Sequence, residues 1–395
     1  MTVQDTLQAV RAHEDEFIAL RRDIHQHPEL PFEELRTSDL VAARLRDWGY
    51  HVERGLGGTG VVGQLQRGDG TRTLGLRADM DALPIQEATG LQYASRNQGV
   101  MHACGHDGHT AMLLAAAKVL AEQGDFSGTL NLIFQPAEEY GTSDCGAVRM
   151  INDGLFDKYP CDAIFSMHNM PGWPQGHLIF REGPMMASSD KVYITLVGHG
   201  GHGAVPHKTA DPVVAAASLV MALQTVVSRN VDPLQTAVVT VGVLQSGRAN
   251  NVIPDSAYLE LSVRALDSEV RSLLQQRITE IAHAQAQSFG VKAEIDYRRG
   301  YAALVNSKDE TDFARQIGTE LVGAERVVPQ APPLTGSEDF AFMLEKCPGS
   351  YLLIGNGAGD KLGACMVHNP GYDFNDANLA IGAAYWTLLA RRYLV

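Results

Sequence analysis

The sequence predicts an α/β protein in which a larger domain is interrupted by a ferredoxin-like (βαββαβ) insertion. Three observations carry this prediction. The chain has 395 residues, beyond the roughly 250–300 at which single cores stop growing. Its outer parts alternate strand-like and helix-like segments, which implies a sheet covered by helices on both faces. Its middle changes rhythm to strand, helix, two strands, helix, strand. The expected boundaries are 1–186 and 301–395 for the two parts of the larger domain and 187–300 for the insertion.

Taken in order, residues 3–48 carry helical periodicity, interrupted near His27-Pro28, where Pro28 and Pro31 disfavour a continuous helix. Residues 60–65 and 73–78 read as short buried strands, 110–121 as a helix rich in Ala and Leu, and 129–134 as a strand. A short helix at 147–152 and a strand at 163–167 follow. In the insertion, the strands are 191–197, 236–244, 257–263 and 292–297, and the helices 211–228 and 268–288. The α/β rhythm then returns, with helices at 311–322 and 337–345, a strand at 351–354 and a closing helix at 378–393.

Composition excludes several classes. Apolar residues make up 45% and charged residues 20%, an ordinary globular balance that argues against long disorder. A net charge of -14 with no basic stripe argues against a nucleic-acid partner. The start, Met1-Thr2-Val3-Gln4-Asp5, lacks the basic and apolar regions of a signal peptide. Apolar runs such as 111–119 are too short and mixed for a membrane span, so no membrane partner is expected. Five scattered cysteines do not form a disulfide framework and fit a reducing cytoplasm.

The densest chemical signal is Met101-His102-Ala103-Cys104-Gly105-His106-Asp107-Gly108-His109. Cys104 and His106 are metal ligands by type, and in a Gly-containing turn both can face one ion. Asp107 either orients a ligand or starts the following helix. The same segment also reads as a turn with an incidental thiol and imidazoles. Gln135-Pro136-Ala137-Glu138-Glu139 closes an apolar strand, where open α/β sheets place their sites. Of two adjacent carboxylates, one can ligate an ion while the other accepts a proton from water. An isolated Glu-Glu pair equally suits a solvated loop.

His168 and His368 follow apolar strands or lie late in the chain, each weak alone. Asp79 and Asp81 end another strand and suit holding ligand imidazoles in one tautomer. In the insertion, the run from Gly198 through His199 and His202 to His207 can cradle an oxyanion or serve as a flexible connector. No Gly-x-Ser-x-Gly elbow occurs, which argues against a serine hydrolase.

Together these motifs resemble the aminoacylase and carboxypeptidase family of di-metal peptidases, in the branch of hippurate hydrolase, N-acyl amino acid amidohydrolases and plant auxin-conjugate hydrolases. The matching pieces are Leu20-Arg21-Arg22-Asp23-Ile24-His25-Gln26-His27-Pro28-Glu29-Leu30, the 77–84 and 104–109 segments, Pro136-Ala137-Glu138-Glu139, 198–206, Asn250-Asn251-Val252-Ile253-Pro254 and Gly336-Ser337-Glu338-Asp339-Phe340. They span nearly the whole chain. The resemblance implies a catalytic α/β domain with a mixed sheet and an inserted lid and dimerisation domain.

It further implies two divalent ions per subunit (Zn, Mn, Co or Ni), held by Cys104, His106, Glu139, His168 and His368, with Cys104 bridging. Glu138 becomes the general base, and His202 stabilises the oxyanion of a partner subunit's site. Asp79 and Asp107 support the ligands, and Asn251 and Arg264 contact the substrate. The implied substrate is a small N-acyl amino acid, hydrolysed by a cytoplasmic homodimer. A dipeptidase or carboxypeptidase of the same family, and a non-catalytic metal-dependent binding protein, are the alternatives. One local departure, Tyr140-Gly141-Thr142-Ser143-Asp144-Cys145 in place of a Gly-rich stretch, bears on substrate preference.

Overall fold

The computed structural model describes residues 2–395. Its first part runs α1 (Val3–Arg11), α2 (Glu14–Gln26), α3 (Leu35–Asp47), β1 (His51–Leu56), β2 (Gly60–Arg67), β3 (Thr73–Asp79), α4 (His106–Gln123) and β4 (Gly128–Gln135). After a single 3-10 turn at Glu138–Tyr140 come α5 (Gly146–Asn152), α6 (Leu155–Lys158), β5 (Ala163–Pro171), β6 (Leu178–Ile179) and β7 (Gly183–Met186). The middle comprises β8 (Asp190–Val197), β9 (Gly201–His202), α7 (Pro212–Asn230), β10 (Ala237–Ser246), β11 (Val252–Ile253), β12 (Ser256–Ala265), α8 (Ser268–Ser288) and β13 (Lys292–Arg299). The last part holds β14 (Leu304–Asn306), α9 (Lys308–Val322), β15 (Val327–Val328), α10 (Phe340–Leu344), β16 (Gly349–Gly357) and α11 (Asn378–Tyr393).

Two compact units result. The larger holds residues up to Gly183, Val305–Pro332 and Asp339–Val395; the smaller holds Pro184–Leu304 and Pro333–Glu338.

The larger unit is built on a mixed sheet of order β1-β2-β4-β3-β5-β16-β6-β15. Its centre, β4-β3-β5-β16, is parallel throughout. Every residue of β16, and nearly every residue of β3, β4 and β5, is buried. Successive side chains of a strand point to opposite faces, so such strands are covered on both sides. Helix α4 is buried almost all round from His106 to Leu120, as a core helix must be. It packs against α11. Gly382 makes that approach possible, since a Cβ there would lie 2.0 Å from Met112 Sδ.

In the smaller unit the sheet order is β10-β12-β8-β13, antiparallel at every junction. In the unit's own strand sequence this is second, third, first, fourth, the ferredoxin-like order. Strands β8 and β12 alternate buried and accessible residues. One face therefore packs on α7 and α8 through Ile194, Leu196, Leu219, Leu259 and Ile278, while the other stays open. Helix α7 is long and apolar enough, by length and composition, to cross a membrane. Here its Ala215, Ala216, Leu219, Leu223 and Val226 pack in this core.

Two differences from the sequence reading have physical causes. Strand β1 was not expected, because His51-Val52-Glu53-Arg54-Gly55-Leu56 is a largely accessible edge strand with one fully buried residue. The helix expected at 337–345 is only Phe340–Leu344. The Asp339 carboxylate is held by Arg77 Nη2 at 3.1 Å and Gln135 Nε2 at 2.7 Å, so the helix begins only after it.

Candidate metal centre

Four segments of the larger unit bring donor side chains to the carboxyl ends of the parallel strands. Asp79 closes β3, Glu138 and Glu139 follow β4, His168 lies near the end of β5, and Cys104 and His106 flank the start of α4. Gly105 caps α4 at φ 86°, and a Cβ there would meet Asn169 Nδ2 at 2.2 Å and the Tyr372 hydroxyl at 2.4 Å. Only glycine lets the Cys104 and His106 side chains turn inward around that point. Ala137 and His368 are left-handed without being glycine, at φ 51° and 64°. Each such residue costs about 1–2 kcal/mol, and such strain concentrates at functional sites.

Cys104, His106 and His168 have ligand atoms within 4.8 Å of one another, and so do Cys104, Glu139 and His368. Cys104 belongs to both sets. Its Sγ lies 3.3 Å from His168 Nε2, and Glu139 Oε1 lies 2.9 Å from His368 Nε2. His168 Nδ1 donates to the Asn169 carbonyl at 2.5 Å, which leaves Nε2 facing the thiol. Asp81 Oδ1 holds His106 Nδ1 at 3.1 Å, and His106 Nε2 is buried with no hydrogen-bond partner. A buried imidazole nitrogen oriented in this way fits a cation.

His109 is occupied differently. Its Nδ1 bonds Asp79 at 2.6 Å and its Nε2 accepts from the Asn169 N–H at 2.9 Å, so both ring nitrogens are used. Asp79 also pairs with Arg77 at 2.7 Å. The orienting contact to His106 thus comes from Asp81, with Asp79 lying 3.7 Å from His106 Nε2. Asp107 is buried and faces α2, bonding His25 Nδ1 at 2.8 Å and Arg21 at 3.4 Å. Glu138 is buried, and its Oε1 accepts from Asp339 N–H at 3.4 Å.

Electrostatics show how rich in acids the site is: burial opposes protonation of His106, but Asp79 and Asp81 outweigh it and raise its pKa to about 10. Burial, then Glu139, Glu138 and Asp79, hold the Cys104 thiol well above its usual range. Burial, then the neighbouring His109, holds His168 well below its own, so it is neutral and able to ligate. Burial opposes ionisation of Glu139, but the bond from His368 and the charge of His106 outweigh it and lower its pKa. Burial and the nearby Asp81 push Glu34 up to about 7. Several carboxylates and a thiol gathered in a buried volume call for added positive charge. The mixed S, N and O donors fit divalent transition-metal ions.

The remaining expected site residues lie in the smaller unit. His202, on β9, is exposed, and its Nδ1 accepts from Ala204 N–H at 3.0 Å. Asn251 is exposed and its carbonyl accepts from Gly203 N–H at 2.8 Å, so the β9–β11 pairing brings these two residues close together. Arg264 Nη1 donates to Ser337 Oγ at 3.2 Å, and burial lowers its pKa. Asn169, Tyr372, Arg77 and Asp339 were missed as site-supporting residues. A buried arginine inside an apolar strand, Arg77, is the one signal that could have led to its partner Asp339.

A family model described as peptidase family M20/M25/M40 matches residues 75–392. The chain is 46% identical to a hippurate hydrolase of Campylobacter jejuni over 96% of its own length and 97% of that protein's. It is 40% identical to an N-acetyl-L-cysteine deacetylase of Bacillus subtilis, covering 94% of this chain and 86% of that one. The fold is similar to the crystal structure of the YXEP protein of Bacillus subtilis, a dinuclear metal binding peptidase, with a TM-score of 0.83 and 32% identity. That match covers 97% of this chain and 99% of the other.

Proposed function

The chain belongs to peptidase family M20/M25/M40, and we propose that it is a divalent-metal-dependent amidohydrolase cleaving N-acyl amino acids to a carboxylic acid and a free amino acid. The observation that carries this reading is the pair of donor sets overlapping at Cys104, with the buried Glu138 carboxylate beside them. Cys104, His106, Glu139, His168 and His368 would hold two ions per subunit, Cys104 belonging to both donor sets; zinc, manganese, cobalt and nickel all suit these donors. When bound, such ions polarise a carbonyl and lower the pKa of water.

Glu138 accepts the proton of the attacking water at its carboxylate and delivers it to the nitrogen of the leaving amine. The Asp339 N–H holds that carboxylate in place, and Asp81 keeps His106 Nε2 free to ligate. In the smaller unit, His202 serves the oxyanion of a partner subunit, Asn251 contacts the substrate, and Arg264 contacts its carboxylate. A homodimer through this unit is supported by exposed Val213, Val214 and Met221 on α7 and Leu244 on the edge strand β10. Free thiols at all five cysteines support a reducing cytoplasm.

The test is a panel of N-acetyl and N-benzoyl amino acids assayed with metal-reconstituted protein. Each is paired with its methyl ester and its unacylated dipeptide analogue, with and without chelator. Chelator-sensitive cleavage of the free-carboxylate N-acyl compounds is expected, with the esters cleaved poorly. Cleavage of dipeptides alone would move the chain to a dipeptidase role, and no metal-dependent cleavage would leave a binding protein.

A further inference from the structure

Glu34 lies just before α3, 103 residues from the turn that carries Glu138 and Glu139, yet its side chain enters that turn. It is fully buried. Its Oε1 accepts the Ala137 N–H at 2.8 Å and the Phe32 N–H at 3.0 Å, and its Oε2 accepts the Thr59 hydroxyl. These donors are all uncharged, and burying a carboxyl group among uncharged donors is costly. Such a group persists where its hydrogen bonds are needed.

The two backbone donors identify the need. Phe32 and Ala137 are both left-handed without being glycine, and one carboxylate oxygen holds both. Ala137 is the N-cap of the 3-10 turn Glu138–Tyr140. The middle of that turn is held where Glu139 N–H donates to Asp81 Oδ2 at 2.8 Å. Glu34 just before the turn and Asp81 at its middle therefore fix the direction in which both carboxylates leave the backbone.

We propose that Glu34 is a positioning residue, which sets the aim of Glu138 and Glu139 by accepting the Ala137 N–H. It touches neither substrate nor reacting atoms. The proposal rests on the roles assigned to Glu138 and Glu139, and what it requires of Glu34 is reach and acceptance, not charge.

Three variants of the full chain separate these properties. Glu34→Gln keeps the reach and an acceptor oxygen, and Thr59 can rotate to accept from the new amide. Glu34→Asp keeps the charge but withdraws the oxygens by one methylene. Glu34→Ala removes both. In metal-free protein, hydrogen exchange at the Ala137 amide is expected to stay within threefold of wild type in Glu34→Gln and to accelerate at least tenfold in Glu34→Asp and Glu34→Ala. With cobalt(II) bound, the visible spectrum is expected to match wild type in Glu34→Gln and to change in the other two. Turnover should follow, with kcat down at least tenfold and KM within twofold for Glu34→Asp.

Exchange and spectrum need no substrate, so they read the turn even if the N-acyl panel fails. If Glu34→Ala does not fold, the contrast between Gln and Asp decides. A Glu34→Gln protein as impaired as Glu34→Asp, or a Glu34→Asp protein indistinguishable from wild type, overturns the proposal.

Discussion

In the larger unit the interior beside the strand ends is charged, whereas the interior of the smaller unit is aliphatic. Arg21, His25, Arg77, Asp79, Asp81 and Asp107 are each at most 1% exposed in the first. In the second, the buried polar set among the described residues is Ser188, Asp190 and Glu338. Burying charge is unfavourable unless every group finds a partner, so a protein that does so repeatedly in one place is holding a geometry and not merely a fold. The smaller unit follows the opposite plan: it alternates along its strands, packs one face on two helices and leaves the other face open. Perturbing the two regions should therefore give different kinds of result.

The largest expected effect is on Glu138, the proposed base. Glu138→Gln should lower kcat by about 10²–10⁴-fold while leaving metal content unchanged, as read by steady-state kinetics and metal analysis. Next comes a matched pair of buried aspartates, one in each unit. Asp81→Asn should weaken metal binding by about 10–100-fold, because His106 loses the partner that fixes its ring. Asp190 pairs with Arg271 and accepts from Tyr297 at 2.9 Å. Asp190→Ala should cost about 3–5 kcal/mol in denaturant unfolding and leave metal affinity unchanged. If both variants lose metal, or both lose only stability, the contrast between the units fails.

A smaller effect concerns pH. Burial opposes protonation of His25, but Asp107 and Glu87 outweigh it and raise its pKa to about 9. A raised folded value stabilises fully below the unfolded value near 6.5, and that contribution is lost as pH rises through 9. The melting temperature should fall between pH 7 and 9.5, and His25→Gln should flatten the fall. The smallest effect on stability belongs to the exposed face of α7. Met221→Lys should shift unfolding by less than about 0.5 kcal/mol, yet lower the mass seen by light scattering if that face joins two copies.

Much of this was legible in the chain. The parallel strands announce themselves as apolar runs, with Glu138, Glu139 and His168 at their ends, while Cys104 and His106 stand out as ligand types in a Gly-containing turn before a helix. Less legible was which acid serves which imidazole: Asp79 and Asp81 are two residues apart, and only the folded backbone gives His109 to the first and His106 to the second. Glu34, Asn169 and Tyr372 carry no local pattern, because their partners lie far along the chain, at Ala137, His109 and Asn169 respectively. Strand β1 escaped notice because its pairing with β2, and not an apolar face, makes it a strand.

The central claim is that two metal sites meet at one thiol. Metal analysis of purified wild-type and Cys104→Ala protein, reconstituted with zinc and freed of excess ion, tests it most directly. The account predicts two ions per chain in the wild type and fewer than one in Cys104→Ala, because that change removes a ligand from both sets at once. A Cys104→Ala protein that retains two ions per chain would contradict it.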